Sequence, residues 1–197
     1  IQSVLKEISG GIEVISRKLM QNNNSRLIYV GAGTSARIGV QDGTELFPTF
    51  GWPKDRVNYI IAGGFKALTE SIENAEDDVS EAKKMVKNLF LNDTDIIIAL
   101  SASGNTPFTI SAVNEANKRN AITIGIGNNP NANLQKCAKY GITLDTGFEI
   151  LGGSTRLKAG TSQKICLNLI STLVMSNLGN IKNGQMINFV PMNKKLR

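Results

Sequence analysis

Short apolar runs alternate with longer amphipathic stretches along most of the chain. The apolar runs predict five β-strands, at 26–30, 57–62, 95–100, 121–126 and 140–144. Their residues are apolar almost throughout rather than at every second position, so both faces of each strand should be covered, as in a parallel sheet. Helical spacing predicts helices at 1–20, at 36–46, within 66–90 with an interruption near 73–78, at 106–119 and at 156–178.

This alternation predicts an α/β fold with a doubly wound, five-stranded parallel sheet in a three-layer sandwich. No low-complexity linker divides the chain, so a single domain is expected over residues 1–197, with its α/β core at about 26–180. Prolines set two expected helix boundaries. The helix at 36–46 should end before Pro48, and the helix at 106–119 should begin with Thr106 as a hydroxyl cap and Pro107 in its first turn.

The composition limits the chemistry that the chain can perform. Its 197 residues include no His, which excludes His-ligated metals and His-based triads and leaves proton transfer to Glu, Asp, Lys, Tyr or Cys. The formal net charge is +6, but Lys and Arg are scattered and aromatic residues make up only 6%. This arrangement argues against a nucleic-acid partner and suits an anionic metabolite. No apolar run approaches the ~18 residues of a membrane span, so no membrane partner is expected.

The two cysteines, Cys137 and Cys166, have no second Cys close enough to form a zinc or redox pair. Their apolar neighbours predict buried thiols in a reducing compartment. The first 20 residues mix charged and apolar positions in a helical pattern that differs from a secretory leader. A cytoplasmic location is therefore expected.

Two loops that follow predicted strands have the composition of an anion site. The first contains Gly31, Gly33, Thr34 and Ser35, and the second contains Ser101, Ser103, Gly104, Asn105 and Thr106. Hydroxyl side chains, free backbone N–H groups and a helix N-terminus bind a phosphate without a metal ion. Ligands of this fold bind beyond the carboxyl ends of the strands, so the two loops together predict a phosphate cradle. A third segment, 152–161, adds Ser154, Arg156 and Lys158 before the last helix.

The first loop also fits the dinucleotide pattern G-x-G-x-x-A, through Gly31, Gly33 and Ala36. A nicotinamide site would need an acidic residue where the second strand ends, and the chain has Gly63 and Gly64 there. The ATP-type loop G-x-x-x-x-G-K-[ST] is also missing. Nucleotide binding therefore ranks second to the binding of a small phosphorylated ligand.

Five segments occur together in the order typical of one family: GAGTSARIG at 31–39, IAGG at 61–64, ENAED at 73–77, SASGNTP at 101–107 and GSTRLKAGT at 153–161. With them the sequence resembles the N-acetylmuramic acid 6-phosphate etherases of the sugar isomerase (SIS) superfamily. The similarity runs from about Leu27 to the C-terminal residues 193–197. The resemblance implies a SIS domain that lacks the family's N-terminal segment and its small C-terminal helical domain.

The resemblance implies a lyase that cleaves the lactyl ether of N-acetylmuramic acid 6-phosphate, giving N-acetylglucosamine 6-phosphate and D-lactate. It implies a cytoplasmic homodimer without cofactor or metal that recycles cell-wall amino sugar. The glutamates that match the family's functional ones are Glu45 and Glu76. Ring opening creates an aldehyde that acidifies the hydrogen on carbon 2, which Glu76 would remove while Glu45 protonates the departing lactate. A proton donor of this kind needs a raised pKa, which burial of Glu45 beside Leu46 and Phe47 would supply.

By the same resemblance the phosphate is assigned to Ser101, Ser103 and Thr106, with Ser35 and Ser154 nearby. The full set of expected substrate-binding residues is Gly33, Thr34, Ser35, Ser101, Ser103, Gly104, Asn105, Thr106, Ser154 and Lys158. Two alternatives remain open. One is a non-catalytic phosphosugar-binding regulator like the glucokinase regulatory protein, and the other is a phosphosugar isomerase, which abstracts the same proton but releases no lactate.

Overall fold

The computed structural model describes residues 1–190 and has a five-stranded parallel sheet at its centre. The strands are β1 (Leu27–Gly31), β2 (Val57–Ile61), β3 (Ile96–Ser101), β4 (Ile122–Gly127) and β5 (Tyr140–Thr143). They lie in the order β2-β1-β3-β4-β5, and every neighbouring pair is parallel. The predicted fold class is confirmed. Strands β2 and β3 lie on opposite sides of β1, so the strand order reverses at β1 and a crevice opens beyond the carboxyl ends of these strands.

In the described part of the chain, six α-helices accompany the sheet: α1 (Leu5–Gln21), α2 (Gly33–Phe50), α3 (Val79–Asn88), α4 (Pro107–Asn117), α5 (Asn133–Cys137) and α6 (Lys158–Asn177). Alternate residues of each strand point to opposite faces. Tyr29 and Ile98 accordingly pack in one apolar cluster with α1, α2 and α6. Ile28 and Ile97 pack in a second cluster with α3, α4 and α5. The two clusters give the predicted three layers.

The prediction that the second helix ends before Pro48 is wrong. Helix α2 continues to Phe50 with Pro48 in its last turn. A proline at this place removes one hydrogen bond, to the carbonyl four residues earlier, and the helix ends two residues later at Phe50, with Gly51 as its C-cap at a φ of +67°. Leu46 and Phe50 lie one turn apart and are both buried, so their packing outweighs the single lost bond.

The long helix expected within 66–90 is wrong for its first half. Only two 3-10 turns form there, Phe65–Leu68 and Ala75–Asp77, before α3 begins at Val79. The run 69–78 is mostly polar and lacks an apolar face that would hold a helix on the sheet. Asp78 ends this run by accepting a hydrogen bond from the backbone N–H of Glu81 at 2.9 Å, which lowers the pKa of Asp78.

The chain beyond α6 forms a short antiparallel hairpin, β6 (Ile181–Lys182) and β7 (Gln185–Met186), which the sequence pattern did not predict. The N–H of Val190 then donates to the carbonyl of Pro48 at 2.9 Å and ties this segment to the end of α2. The family-like residues 193–197 lie outside the described residues. Among residues 1–190, no helix has both the length and the hydropathy that crossing a bilayer requires.

Candidate active site

Three segments, each at the start of a helix, meet at the carboxyl edge of the sheet. Helix α2 begins directly after β1, the 101–106 loop joins β3 to α4, and α6 starts beside α2. Gly160 of α6 packs so closely on α2 that a Cβ there would lie 3.3 Å from Cγ2 of Thr34. Asn128, which follows β4, donates its backbone N–H to the carbonyl of Ala102 and its side-chain amide to the Ser162 hydroxyl at 2.7 Å. The three segments therefore form one continuous wall.

A cavity of about 360 Å³ opens beside the start of α2. Its wall combines Gly33, Thr34 and Arg37 of α2 with the acidic loop at 70–76, which carries Glu76. The Glu76 side chain is exposed at this wall. The structure thus brings one expected catalytic glutamate together with two expected substrate-binding residues, Gly33 and Thr34.

The 101–106 loop folds around a buried hydroxyl. Ser101 Oγ accepts a hydrogen bond from the N–H of Gly104 at 3.0 Å and lies 2.9 Å from Thr106 Oγ1 and 3.3 Å from Ser103 Oγ. Thr106 is the N-cap residue of α4 and Pro107 follows it, as predicted, but the Thr106 hydroxyl is bonded inside the loop and makes no capping hydrogen bond. Ser103 and Asn105 are exposed. The loop lies at the same edge of the sheet as the cavity but is not part of its lining.

The start of α6 is bound by a carboxylate of the protein itself. Glu149 accepts hydrogen bonds from the N–H groups of Lys158 at 3.1 Å and Ala159 at 2.9 Å. These are the first two residues of the helix, so the N–H groups that attract an anion there already have a partner. Lys158 is exposed, Ser154 is half-buried, and Ser35 on α2 is buried. The sequence pattern did not reveal Glu149, because it lies nine residues before the helix that it caps.

Glu45 lies away from the cavity. It is on α2 eleven residues after Thr34, which corresponds to about 16 Å along the helix axis. The burial beside Leu46 and Phe47 that would raise the pKa of a proton donor is not present within one chain, where Glu45 is exposed. Successive residues of a helix point about 100° apart, so Leu46 enters the core while Glu45 faces outward. A single chain therefore does not place the two glutamates in one cavity.

The sequence pattern did not reveal a buried carboxylate on the same helix. Asp42 is 7% exposed and accepts hydrogen bonds from Tyr29 Oη at 2.8 Å, Ser171 Oγ at 2.9 Å and Asn168 Nδ2 at 3.2 Å. Burial raises the pKa of Asp42 despite these bonds. It also raises the pKa of Tyr59, which stacks on Tyr29, to about 12. The cluster joins α2 to α6 one turn before Glu45.

The sheet order and the match to a family model described below define a SIS domain. A model described as the glucokinase regulatory protein N-terminal SIS domain matches residues 10–117. Among solved structures, a phosphoheptose isomerase from Francisella tularensis has a TM-score of 0.64 at 18% identity, with 87% of this chain and 86% of that chain covered. At that identity the likeness shows the fold alone.

Relatives with much higher identity define the family. The N-acetylmuramic acid 6-phosphate etherase of Pasteurella multocida is 41% identical over 196 residues, which covers 100% of this chain and 64% of that protein. The etherase of Oceanobacillus iheyensis is 44% identical, which covers 99% of this chain and 67% of that protein. The chain belongs to the N-acetylmuramic acid 6-phosphate etherase family. It spans about two thirds of the length of these relatives.

Proposed function

We propose that this chain carries the active site of a lyase that releases D-lactate from N-acetylmuramic acid 6-phosphate and leaves N-acetylglucosamine 6-phosphate. The observation that carries the proposal is the position of Glu76 in one cavity with Gly33 and Thr34. Family membership supplies the substrate class. The sequence has no His, so other side chains must transfer the protons, and we assign this role to the carboxylates of Glu45 and Glu76.

In the proposed reaction the phosphate binds at the 101–106 loop, where Ser103 and Asn105 face solvent. Ring opening exposes the aldehyde, and Glu76 takes the proton from carbon 2 to give an enolate. The carbon 3–oxygen bond then breaks, and the departing lactate takes a proton from Glu45. Water adds to carbon 3 of the unsaturated aldehyde and carbon 2 regains a proton, so the sum of the steps is hydrolysis of the ether.

The separation of Glu45 from the cavity leads us to propose a homodimer that completes the site. Apolar side chains are exposed on α6, which packs on α2, and in the segment before α6: Ile165 and Leu173 of α6 are 44% and 45% exposed, and Phe148 and Ile150 of the preceding segment are 99% and 96% exposed. Exposed apolar residues in such number are typical of an interface. A second copy seated there would remove water from the α2 face that presents Glu45 and bring that face towards the partner's cavity.

The test is D-lactate release by the 197-residue chain from N-acetylmuramic acid 6-phosphate, followed with a coupled D-lactate dehydrogenase assay. Glu76→Gln and Glu45→Gln should each lower kcat by about 10²–10⁴-fold, the usual contribution of general acid–base catalysis. Binding of N-acetylglucosamine 6-phosphate, measured by calorimetry, should persist in both. Glu73→Gln is the matched control, because Glu73 lines the same cavity. Unchanged turnover in either variant removes that glutamate from the mechanism.

Mixing the two inactive variants tests the shared site. If Glu45 serves the partner's cavity, an equal mixture of Glu45→Gln and Glu76→Gln chains should regain about a quarter of the wild-type activity, because half of the dimers are mixed and each has one intact site. No recovery in a mixture shown to exchange subunits would contradict the shared site. The control is a mixture of each variant with itself.

The second candidate is a phosphosugar-binding regulator without turnover. The observation in its favour is the match of residues 10–117 to a regulatory-protein SIS domain. A wild-type chain that binds N-acetylglucosamine 6-phosphate but releases no lactate would support this candidate. Conversion of an aldose phosphate to its ketose would support the isomerase instead.

We also propose a cytoplasmic location. Cys137 and Cys166 are both free in the structure, and burial raises the pKa of the Cys166 thiol to about 12. Thiols kept protonated and unpaired are typical of proteins in reducing compartments. Fractionation of cells that express the protein, with D-lactate release as the marker activity, tests the location.

A further inference from the structure

Arg37 of α2 makes an unusual set of hydrogen bonds for a cation beside an acidic loop. Its Nε donates to the carbonyl of Leu68 at 3.0 Å, and its Nη2 donates to the carbonyls of Ala67 at 2.9 Å and Glu70 at 3.3 Å. Within residues 1–190, none of the ion pairs involves Arg37. The guanidinium therefore bonds to main-chain carbonyls, although Glu70, Glu73 and Glu76 line the same cavity.

Two of the three carbonyls belong to the end of a short helix, and the third follows it closely. Ala67 and Leu68 are the last residues of the 3-10 turn Phe65–Leu68, and Glu70 follows two residues later. Carbonyls at a helix end lack partners within the helix, and a basic side chain can satisfy them. Arg37 donates to three such acceptors at once, and it does so from α2, the helix that starts at the cavity.

The segment that leads from this turn to Glu76 has apolar contacts at both ends. Ala67, Leu68 and Ile72 pack in a small cluster with Ala36 and Ile61. Ala75 packs against the second core cluster, in the 3-10 turn Ala75–Asp77. Within residues 1–190, the hydrogen bonds of Arg37 are the side-chain hydrogen bonds that join this loop to the helix that supplies Gly33 and Thr34.

We propose that Arg37 is a positioning residue, which fixes the path of residues 67–70 and thereby holds Glu76 across the cavity from Thr34. The inference rests on the proposed function, in which Glu76 removes the proton from carbon 2. Arginine is required because its rigid fork of N–H groups reaches several carbonyls, whereas a lysine ammonium is a single point charge on a flexible stem. If Arg37 bound the phosphate directly, its replacement would instead raise the Kd for the phosphosugar and leave kcat unchanged.

The experiment compares Arg37→Ala and Arg37→Lys with Lys66→Ala in the 197-residue chain. Lys66 is the matched control because it is a cation of the same loop whose only ion pair within residues 1–190, with Glu70, is exposed. We expect kcat for D-lactate release to fall about 10²-fold in both Arg37 variants, as for a catalytic group displaced by about 1 Å. The Kd for N-acetylglucosamine 6-phosphate should stay within about twofold of wild type, and Lys66→Ala should match wild type in both quantities.

Chemical rescue separates positioning from a general loss of folding. Millimolar guanidinium chloride should restore part of the kcat of Arg37→Ala, since the ion can enter the vacated place, and should not help Glu76→Gln. A rise in Kd with kcat unchanged would instead make Arg37 a phosphate ligand and overturn the proposal. Unchanged kcat in Arg37→Ala would overturn it as well.

Hydrogen–deuterium exchange keeps this inference separate from the proposed function. Amides of residues 65–78 should exchange faster in Arg37→Ala than in wild type, while Lys66→Ala should leave them unchanged. A wild-type chain that releases no lactate would refute the lyase proposal, but the exchange result would still support Arg37 as the anchor of the loop. Equal exchange in all three proteins would overturn the positioning role whatever the activity.

Discussion

Gly104 is the residue on which the shape of the 101–106 loop depends most. Its φ is +65°, and a Cβ at this position would clash with the Cβ of Ala132 and lie 2.7 Å from Oε1 of Gln135. Its N–H donates to Ser101 Oγ at 3.0 Å, and its carbonyl accepts from the N–H of Leu134 at 2.8 Å. The Ala132 Cβ is fixed to the backbone and has no rotamer to change, so a methyl group at 104 would push the loop away from α5.

We therefore predict that Gly104→Ala destabilises the protein by about 2–5 kcal/mol. The left-handed conformation costs an alanine about 1–2 kcal/mol, and overpacking adds about 1–3 kcal/mol. Gly147→Ala is the matched control, because its φ is +61° and no atom lies within 4 Å of the added Cβ. Only the conformational cost of about 1–2 kcal/mol should appear there.

Urea unfolding followed by circular dichroism measures both losses, and calorimetry with N-acetylglucosamine 6-phosphate measures the consequence for binding. At urea concentrations where it remains folded, Gly104→Ala should bind the phosphosugar more weakly, whereas Gly147→Ala should bind as wild type does. Equal destabilisation of the two variants would refute the argument that close contact with α5 shapes the loop. Unchanged binding in Gly104→Ala would refute the loop's role in holding phosphate.

Two further predictions concern buried charges. Burial raises the pKa of Asp42 above 3.8, so the folded state holds the proton more tightly than the unfolded state, and this contribution to stability is lost as pH rises through the folded pKa. Asp42→Asn retains an acceptor for Ser171 and Asn168, so the variant should unfold at an equal or higher urea concentration at neutral pH. Its stability should also depend less on pH above about 4 than that of the wild type. A steeper pH dependence of the variant's stability would contradict this prediction. Arg26 donates to Asp95 at 2.7 and 2.8 Å, and the Asp95 side chain is fully buried. Arg26→Ala should therefore lower the free energy of unfolding in urea by about 3–5 kcal/mol. The control is Arg17→Ala, which should cost under about 1 kcal/mol because its ion pair with Glu13 is exposed. Similar costs for the two variants would refute the stabilising role of the Arg26–Asp95 pair.

The central strands β1, β3 and β4 were predictable because burial on both faces leaves a continuous apolar signal, and the less buried edge strands β2 and β5 follow the same alternation with helices. All five lie within about two residues of their predicted bounds, a shift that is normal for strand ends. The end of α2 was not predictable in the same way. Local preference favours a break before Pro48, and only the packing of Leu46 and Phe50 on the sheet, a tertiary effect, extends the helix past it.

In the candidate site, too, the local features could be predicted from the sequence and the tertiary contacts could not. The 101–106 loop could be predicted, because a strand, a hydroxyl-rich turn and a helix start follow one another in sequence. The contacts of Arg37 join residues 30 to 33 positions apart, and the bond from Ser171 to Asp42 spans 129 positions. No periodicity connects residues so far apart. The exposure of Glu45 could not be predicted from Leu46 and Phe47, because neighbours in sequence point to other sides of a helix.

The distribution of charge at the carboxyl edge determines how a phosphosugar would lie there. The cavity is lined by Glu70, Glu73 and Glu76, and the N–H groups of Arg37 that face the loop are bonded to carbonyls. A phosphate in this cavity would meet like charges, whereas the 101–106 loop offers hydroxyl and amide groups without a carboxylate. We therefore expect the phosphate on the loop after β3 and the carbon 2 end of the sugar in the cavity beside β1. Because β1 and β3 are adjacent strands, one extended hexose phosphate spans both, and repulsion from Glu76 would prevent binding in the reverse direction.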